Sequence, residues 1–124
     1  MNTLTPEQLN MIKRLQPKIV KSMGDWQEGD MYIMHGSNVH FVCKKDILDL
    51  SLYKLPCIPK PIDWQNPERG LWGMIDHKKY KFASQEDGNV GIMHLLETGW
   101  ELIDFNYCDP FTALLKALVQ QEGV

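Results

Sequence analysis

Residues 55–70 read LPCIPKPIDWQNPERG, and four of them are proline: Pro56, Pro59, Pro61 and Pro67. No helix interior or central strand survives that spacing, because each proline lacks a backbone donor and fixes its own φ. Regular structure must stop before this stretch and begin again after it. Ile58, Ile62 and Trp64 make it too apolar to be solvated throughout. It reads as an ordered bridge across a core, not a flexible linker, with no second domain behind it.

Upstream, Thr5-Pro6-Glu7-Gln8 opens a helix. Thr5 caps it, Pro6 takes the first helical position, and Gln8 completes a capping box. Leu4, Leu9, Ile12 and Leu15 supply an apolar stripe. Pro17 should end or kink the helix near Leu15, with a further turn or two before Gly24. Residues 30–45 read as a β-hairpin, with turn chemistry at His35-Gly36-Ser37-Asn38 and strand formers Tyr32, Ile33, Val39, Phe41 and Val42 around it. Alternation puts Val39, Phe41 and Cys43 on one face, so Cys43 is expected in the core. Residues 46–53 suit a short helix or an extended edge equally.

Downstream, Asn66-Pro67-Glu68 repeats the helix-start chemistry. Leu71, Trp72 and Ile75 would share a face, and His77 would sit in the last turn, where the helix dipole favours a cation. Residues 79–84 alternate as a strand, and residues 85–89 form a turn. Ile92, Leu95 and Leu96 fall at helical spacing before Gly99, and a strand follows over 100–106. Asp109-Pro110 opens a last helix with Phe111, Leu114, Leu115, Leu118 and Val119 as its stripe. So wide a stripe must cover a sheet, which the strands at 30–45, 79–84 and 100–106 supply. Trp26, Trp64, Trp72 and Trp100 are expected as core anchors. Asp-Trp-Gln occurs twice, at 25–27 and 63–65, but the flanks do not match and no period is sustained, so it reads as coincidence.

The expected fold is α+β: a small single domain over residues 1–124, with a few-stranded, mainly antiparallel sheet packed by an N-terminal and a C-terminal helix. A chain of 124 residues can bury a core without staples. A net charge of −3 speaks against a dedicated duplex-DNA binder. Cys43, Cys57 and Cys108 form no CxxC pair and are odd in number, which fits reduced thiols in a cytoplasm. The N-terminus lacks the apolar core of a signal peptide, and no run approaches the ~18–20 apolar residues of a membrane span.

Three stretches carry a resemblance: DWQEGDMY at 25–32, the passage into RGLWGMID at 69–76, and DPFTALLKAL at 109–118. Together they resemble a class of small phage and prophage proteins. In that class a "DW…GD" strand opening precedes a short helix, and the chain closes on a helix of the type Pro-x-x-Ala-Leu-Leu-Lys-Ala-Leu. The resemblance runs patchily over residues 24–121. Here Asp109 stands at the cap, and Phe111-Thr112 replace two acids usual in that class. The resemblance implies a phage or prophage origin, hence the host cytoplasm, and implies no reaction.

The chemistry-bearing residues each have a plainer reading beside the functional one. Cys108 precedes a helix start, where a thiolate would be favoured. Asp109 claims the free N–H groups there, however, and its charge raises the thiol's pKa, so Cys108 reads as a bystander. Four histidines and three cysteines make some Cys–His pair inevitable on paper, yet no local signature supports a hydrolase. His35 and His40 flank the hairpin turn and could bind zinc with Asp30 or Asp46. Two polar residues at a surface turn is the simpler account, so no metal ligand is assigned. Phosphate-binding glycine loops are absent, and no cofactor is expected.

Lys78, Lys79, Tyr80 and Lys81 form the one basic-aromatic cluster, a pattern that can grip phosphates while stacking bases. An ordinary half-buried strand alternates in the same way. The sequence therefore points to a non-enzymatic accessory protein that binds another protein. Nucleic-acid binding through Lys78, Lys79, Tyr80 and Lys81 is the alternative, and an enzyme without a recognisable motif is the second.

Overall fold

The computed structural model of the chain describes residues 3–34, 36–44, 56–61, 63, 65–84, 90–103 and 110–124. Its contacts divide it into two compact units, Met1–Gly73 and Met74–Val124. The described part of each holds one α-helix and one three-stranded antiparallel sheet, which makes the class α+β. The sequence reading gathers the strands into one sheet; the structure divides them between two. His35, Asp46 and the 46–53 segment, Ile62, Trp64, the 85–89 turn, Cys108 and Asp109 lie outside the described residues.

The first unit opens with α1, Pro6–Met23, under the expected capping box. The Gln8 N–H donates to Thr5 Oγ1 at 3.1 Å, and the Thr5 N–H donates to Gln8 Oε1 at 2.9 Å. Pro17 does not end this helix. Pro17 and Lys13, whose carbonyl loses its donor, both face solvent, where water can take the vacant acceptor. Ile19 and Met23 beyond it are buried, and their burial carries the helix two turns further.

Strands β1, Met31–Met34, and β2, Asn38–Phe41, form the expected hairpin. Short β3, Cys57–Ile58, comes from the proline passage and pairs with the other edge of β1, giving the order β2-β1-β3. Gln16 fastens α1 to β3. Its amide donates to the Cys57 carbonyl at 2.7 Å and accepts from the Cys57 N–H at 3.1 Å, as a neighbouring strand would. Ile12, Leu15, Ile19, Met31, Ile33, Val39, Ile58 and Leu71 are core residues.

Two expectations fail in this unit. Cys43 is exposed, not in the core. The hairpin continues past Phe41 through the Val42 N–H, which donates to the Asp30 carbonyl at 2.7 Å, and Val42 turns inward. Phe41, at the end of β2, and Cys43 are both exposed. Residues 66–77 are not a helix but a series of turns with one 3-10 turn at Trp72–Met74. Their donors go elsewhere: Leu71 N–H to the Lys60 carbonyl and Trp72 N–H to the Pro61 carbonyl. So close a backbone approach needs Gly70, where a Cβ would lie 2.8 Å from the Lys60 oxygen.

The second unit is a meander of β4, Tyr80–Ser84, β5, Val90–Leu96, and β6, Gly99–Leu102. Helix α2, Pro110–Glu122, packs against β5. The helix expected over 90–99 is thus strand β5. Ile92, Leu95 and Leu96 fit either period, and β5 carries apolar residues on both faces, which blurs the alternation. Gly99 is the hairpin residue after Glu97-Thr98, at φ +120°, where an L side chain would be strained. Leu115 and Leu118 are fully buried, Leu114 and Phe111 nearly so, and Val119 half so. Gln121 repeats the device of Gln16: its amide donates to the Met74 carbonyl at 2.9 Å and accepts from the Asp76 N–H at 2.7 Å.

Candidate interaction surface

A three-stranded sheet has two faces, and register assigns each side chain in the second unit to one of them. Tyr80 lies opposite His94, and Phe82 opposite Ile92. Tyr80 and Ile92 are buried, and His94 Nδ1 lies 2.7 Å from Gln120 Nε2, so this face meets α2. Burial raises the Tyr80 hydroxyl pKa, helped by the Asp76 carboxylate and offset by a hydrogen bond with Gln120.

The outer face carries the alternate residues. Lys81 pairs with Met93, which pairs with Leu102; Leu95 pairs with Trp100. The Leu95 N–H donates to the Lys79 carbonyl at 2.8 Å, which places Lys79 beside Leu95 in the same series. The face is thus three rows: Lys79 and Lys81, then Met93 and Leu95, then Trp100 and Leu102. Leu95 is 47% exposed, and Met93, Trp100 and Leu102 are half-buried. Lys81 reaches diagonally across β5, with Nζ 4.3 Å from the Trp100 ring centroid. An exposed cation on an indole is stabilised by about 0.5–1 kcal/mol and keeps its aliphatic stem over the apolar rows.

The sequence cluster is therefore re-sorted. Lys79 and Lys81 join the outer face, and Lys78 is exposed on the turn before β4. Tyr80, the residue read as a stacking platform, is 6% exposed and faces α2. Trp100 takes the place next to the lysines that the sequence reading gives to Tyr80. The sequence reading assigns Trp100 to the core, and with residues 90–99 read as helix it gains no strand neighbours there. Read at a period of two, with Glu97-Thr98 as a two-residue loop, Met93, Leu95, Trp100 and Leu102 fall together.

The other expected site residues are engaged elsewhere. His40 stacks on Tyr32 with centroids 5.4 Å apart, and Trp26 meets Tyr32 edge-on at 6.1 Å. Trp26, Trp72 and Trp100 are half-buried and so are not the core anchors expected. His77 lies on an exposed turn, not at a helix end. Among the described residues no group of three His, Cys, Asp or Glu side chains is placed to hold a metal. Burial pushes the Cys57 thiol up to about 11, with Asp30 adding to the shift, so it is a poor nucleophile.

The first unit also holds a buried ionic hub, which the sequence reading did not single out. Asp30 is fully buried and receives Arg69 through both oxygens, at 2.7 and 2.6 Å. The remaining Arg69 hydrogen bonds go to the carbonyls of Met23 at 3.1 Å and Asp25 at 2.8 Å. The hydrogen-bonded Asp30 carboxylate raises the Arg69 pKa further, against the opposing effect of burial. Asp63 stands 4.0 Å away; its Oδ1 accepts from the Gln65 and Asn66 N–H groups, and its buried Oδ2 has no hydrogen-bond partner among the described residues.

Asp25 and Asp63, the first residues of the two Asp-Trp-Gln copies, thus both lie beside Arg69, one through its backbone carbonyl and the other through its carboxylate. A cleft of about 300 Å³ adjoins the hub, lined by Ser22, Met23, Gln27, Asn66, Glu68 and Arg69. Arg69 is turned inward onto its partners. Asp25, Asp30 and Arg69, from the "DW…GD" and "RG" stretches, are therefore parts of a fold-fastening device. No protein-family model matches the chain, and neither a curated protein nor a solved structure is similar enough to it to count as a match.

Proposed function

We propose that the protein is a non-enzymatic accessory protein, derived from a phage or prophage and working in the host cytoplasm, that acts by binding another protein. One observation carries the binding reading: the outer face of β4-β5-β6 presents Met93, Leu95, Trp100 and Leu102 side by side, with Leu95 47% exposed. Contiguous apolar side chains on a sheet face mark interaction sites, and a half-buried tryptophan is a favoured anchor within them. The origin rests on the resemblance of residues 24–121. The compartment rests on that origin and on an odd cysteine count with no CxxC pair.

Nucleic-acid binding is the weaker reading. Tyr80 is not presented to a base, and the outer face is mainly aliphatic, whereas strand-binding platforms are aromatic. The experiment is affinity capture from lysate of the source cells. It compares the wild type with Leu95→Asp and with Val20→Asp, a control at an exposed position of α1 (Val20 is 55% exposed). A protein held by the wild type and the control but lost by Leu95→Asp is expected. Equal capture by all three would overturn the reading.

A further inference from the structure

The outer face is not uniformly apolar, and among the described residues its charge is one-sided. Lys79 and Lys81 form one edge row beside four apolar side chains, with Lys78 exposed next to them on the turn. Among the described residues neither Lys79 nor Lys81 is in an ion pair with a carboxylate. The chain as a whole is acidic, with a net charge of −3, so this row is a local reversal of its general sign. Lys81 crosses the apolar rows and ends over Trp100, which puts its charge within the face and not beyond its own edge. A partner that buried Trp100 would have to displace that ammonium or answer it with a negative group.

We propose that the partner segment covering this face is acidic and amphipathic. Its apolar side chains would lie on Met93, Leu95, Trp100 and Leu102, and its carboxylates would meet Lys79 and Lys81. This rests on the protein-binding reading above and specifies the partner's chemistry. A purely apolar partner would strand the Lys81 charge against Trp100. A basic partner would meet two like charges on this face. A nucleic acid would satisfy the lysines but would leave Met93, Leu95 and Leu102 against its polar backbone.

The test uses the full chain and two synthetic amphipathic peptides with one apolar pattern, one carrying glutamates and the other lysines at its polar positions. A single-stranded oligothymidylate is the third probe. Binding is followed by amide chemical shifts at Lys79, Lys81, Leu95 and Trp100. The glutamate peptide should perturb these residues and bind better than the lysine peptide by roughly tenfold, as expected for two exposed charge pairs. Raising the salt from 50 to 500 mM should erase most of that preference, because the Debye length shortens several-fold over this range. Lys79→Glu with Lys81→Glu should reverse it.

Equal binding of the two peptides, preference for the oligothymidylate, or no binding of either peptide at ~1 mM, the scale of weak association, would overturn the proposal. The two readings fail separately. If the captured cellular partner is lost by Leu95→Asp but kept by the double charge reversal, the acidic-segment inference falls and protein binding stands. If Leu95→Asp keeps that partner, both fall.

Discussion

Removing the Arg69 guanidinium would leave Asp30, fully buried, facing Asp63 without a cation. Arg69→Met should therefore destabilise by about 3–5 kcal/mol, the range for breaking one side of a buried ion pair. The two carboxylates are not equivalent. Asp63→Asn keeps the Oδ1 acceptor for Gln65 and Asn66 and breaks no hydrogen bond at Oδ2, removing only a charge 4.0 Å from Arg69, so it should cost less than the loss of Arg69. Asp30→Asn weakens both bonds to Arg69 and should cost more. Denaturant midpoints of the three variants would check the order, and equal loss for both aspartates would contradict it. The thiols give a second pair of expectations. Cys43 is exposed and should alkylate quickly in the native state, while Cys57 is buried and should react only on unfolding. Cys57 is raised from 9.0 to about 11 in the fold, so the native state favours its protonated form. That contribution is complete below pH 9 and is lost as pH rises towards 11, with a magnitude on the order of 3 kcal/mol. Wild-type stability should fall over that window more than that of Cys57→Ala. Parallel curves would refute it. The hub itself was illegible from sequence, because Asp30 and Arg69 meet across 39 positions with no local spacing to betray them.

Helix α2 is where element-scale expectation and structure agree best. A proline-led start and a wide stripe specify a helix whatever lies around it, and Leu115 is fully buried as expected. Leu115→Ala should lower stability by about 2–5 kcal/mol, whereas Val119→Ala, at a half-buried position, should cost less. Thermal melts of both variants decide this, and an unchanged midpoint for Leu115→Ala would mean that the helix does not belong to the core. Helix α1 and the first hairpin were legible for the same local reasons: a capping box, and turn residues between short strands. The misread elements share a different cause. Residues 66–77 carry helix-start chemistry, but their N–H groups are taken by Lys60 and Pro61 carbonyls that no local pattern announces. Strand β5 has apolar residues towards α2 and on its outer face, so its period is ambiguous until the sheet is known. The outer face went unread with it.

At the scale of the whole molecule, the proline passage proves more constructive than its composition suggests. It supplies β3 to the first sheet and the carbonyls that hold Leu71 and Trp72. Helix α1, the sheet β2-β1-β3 and the ionic hub all lie within Met1–Gly73. Residues 1–73 made alone should therefore fold, with the modest stability of a chain that buries only about 60% of its unfolded surface. A dispersed amide spectrum would show this, and a collapsed one would show that the unit depends on the rest of the chain. The glutamines that fasten each helix have one more consequence. The N–H of Cys57 is bonded to Gln16 and that of Asp76 to Gln121. Solvent deuterium can reach either amide only when the corresponding glutamine lets go. Their exchange rates therefore serve as two independent gauges, Cys57 for the seating of α1 and Asp76 for that of α2, each readable while the sheet beside it is still intact.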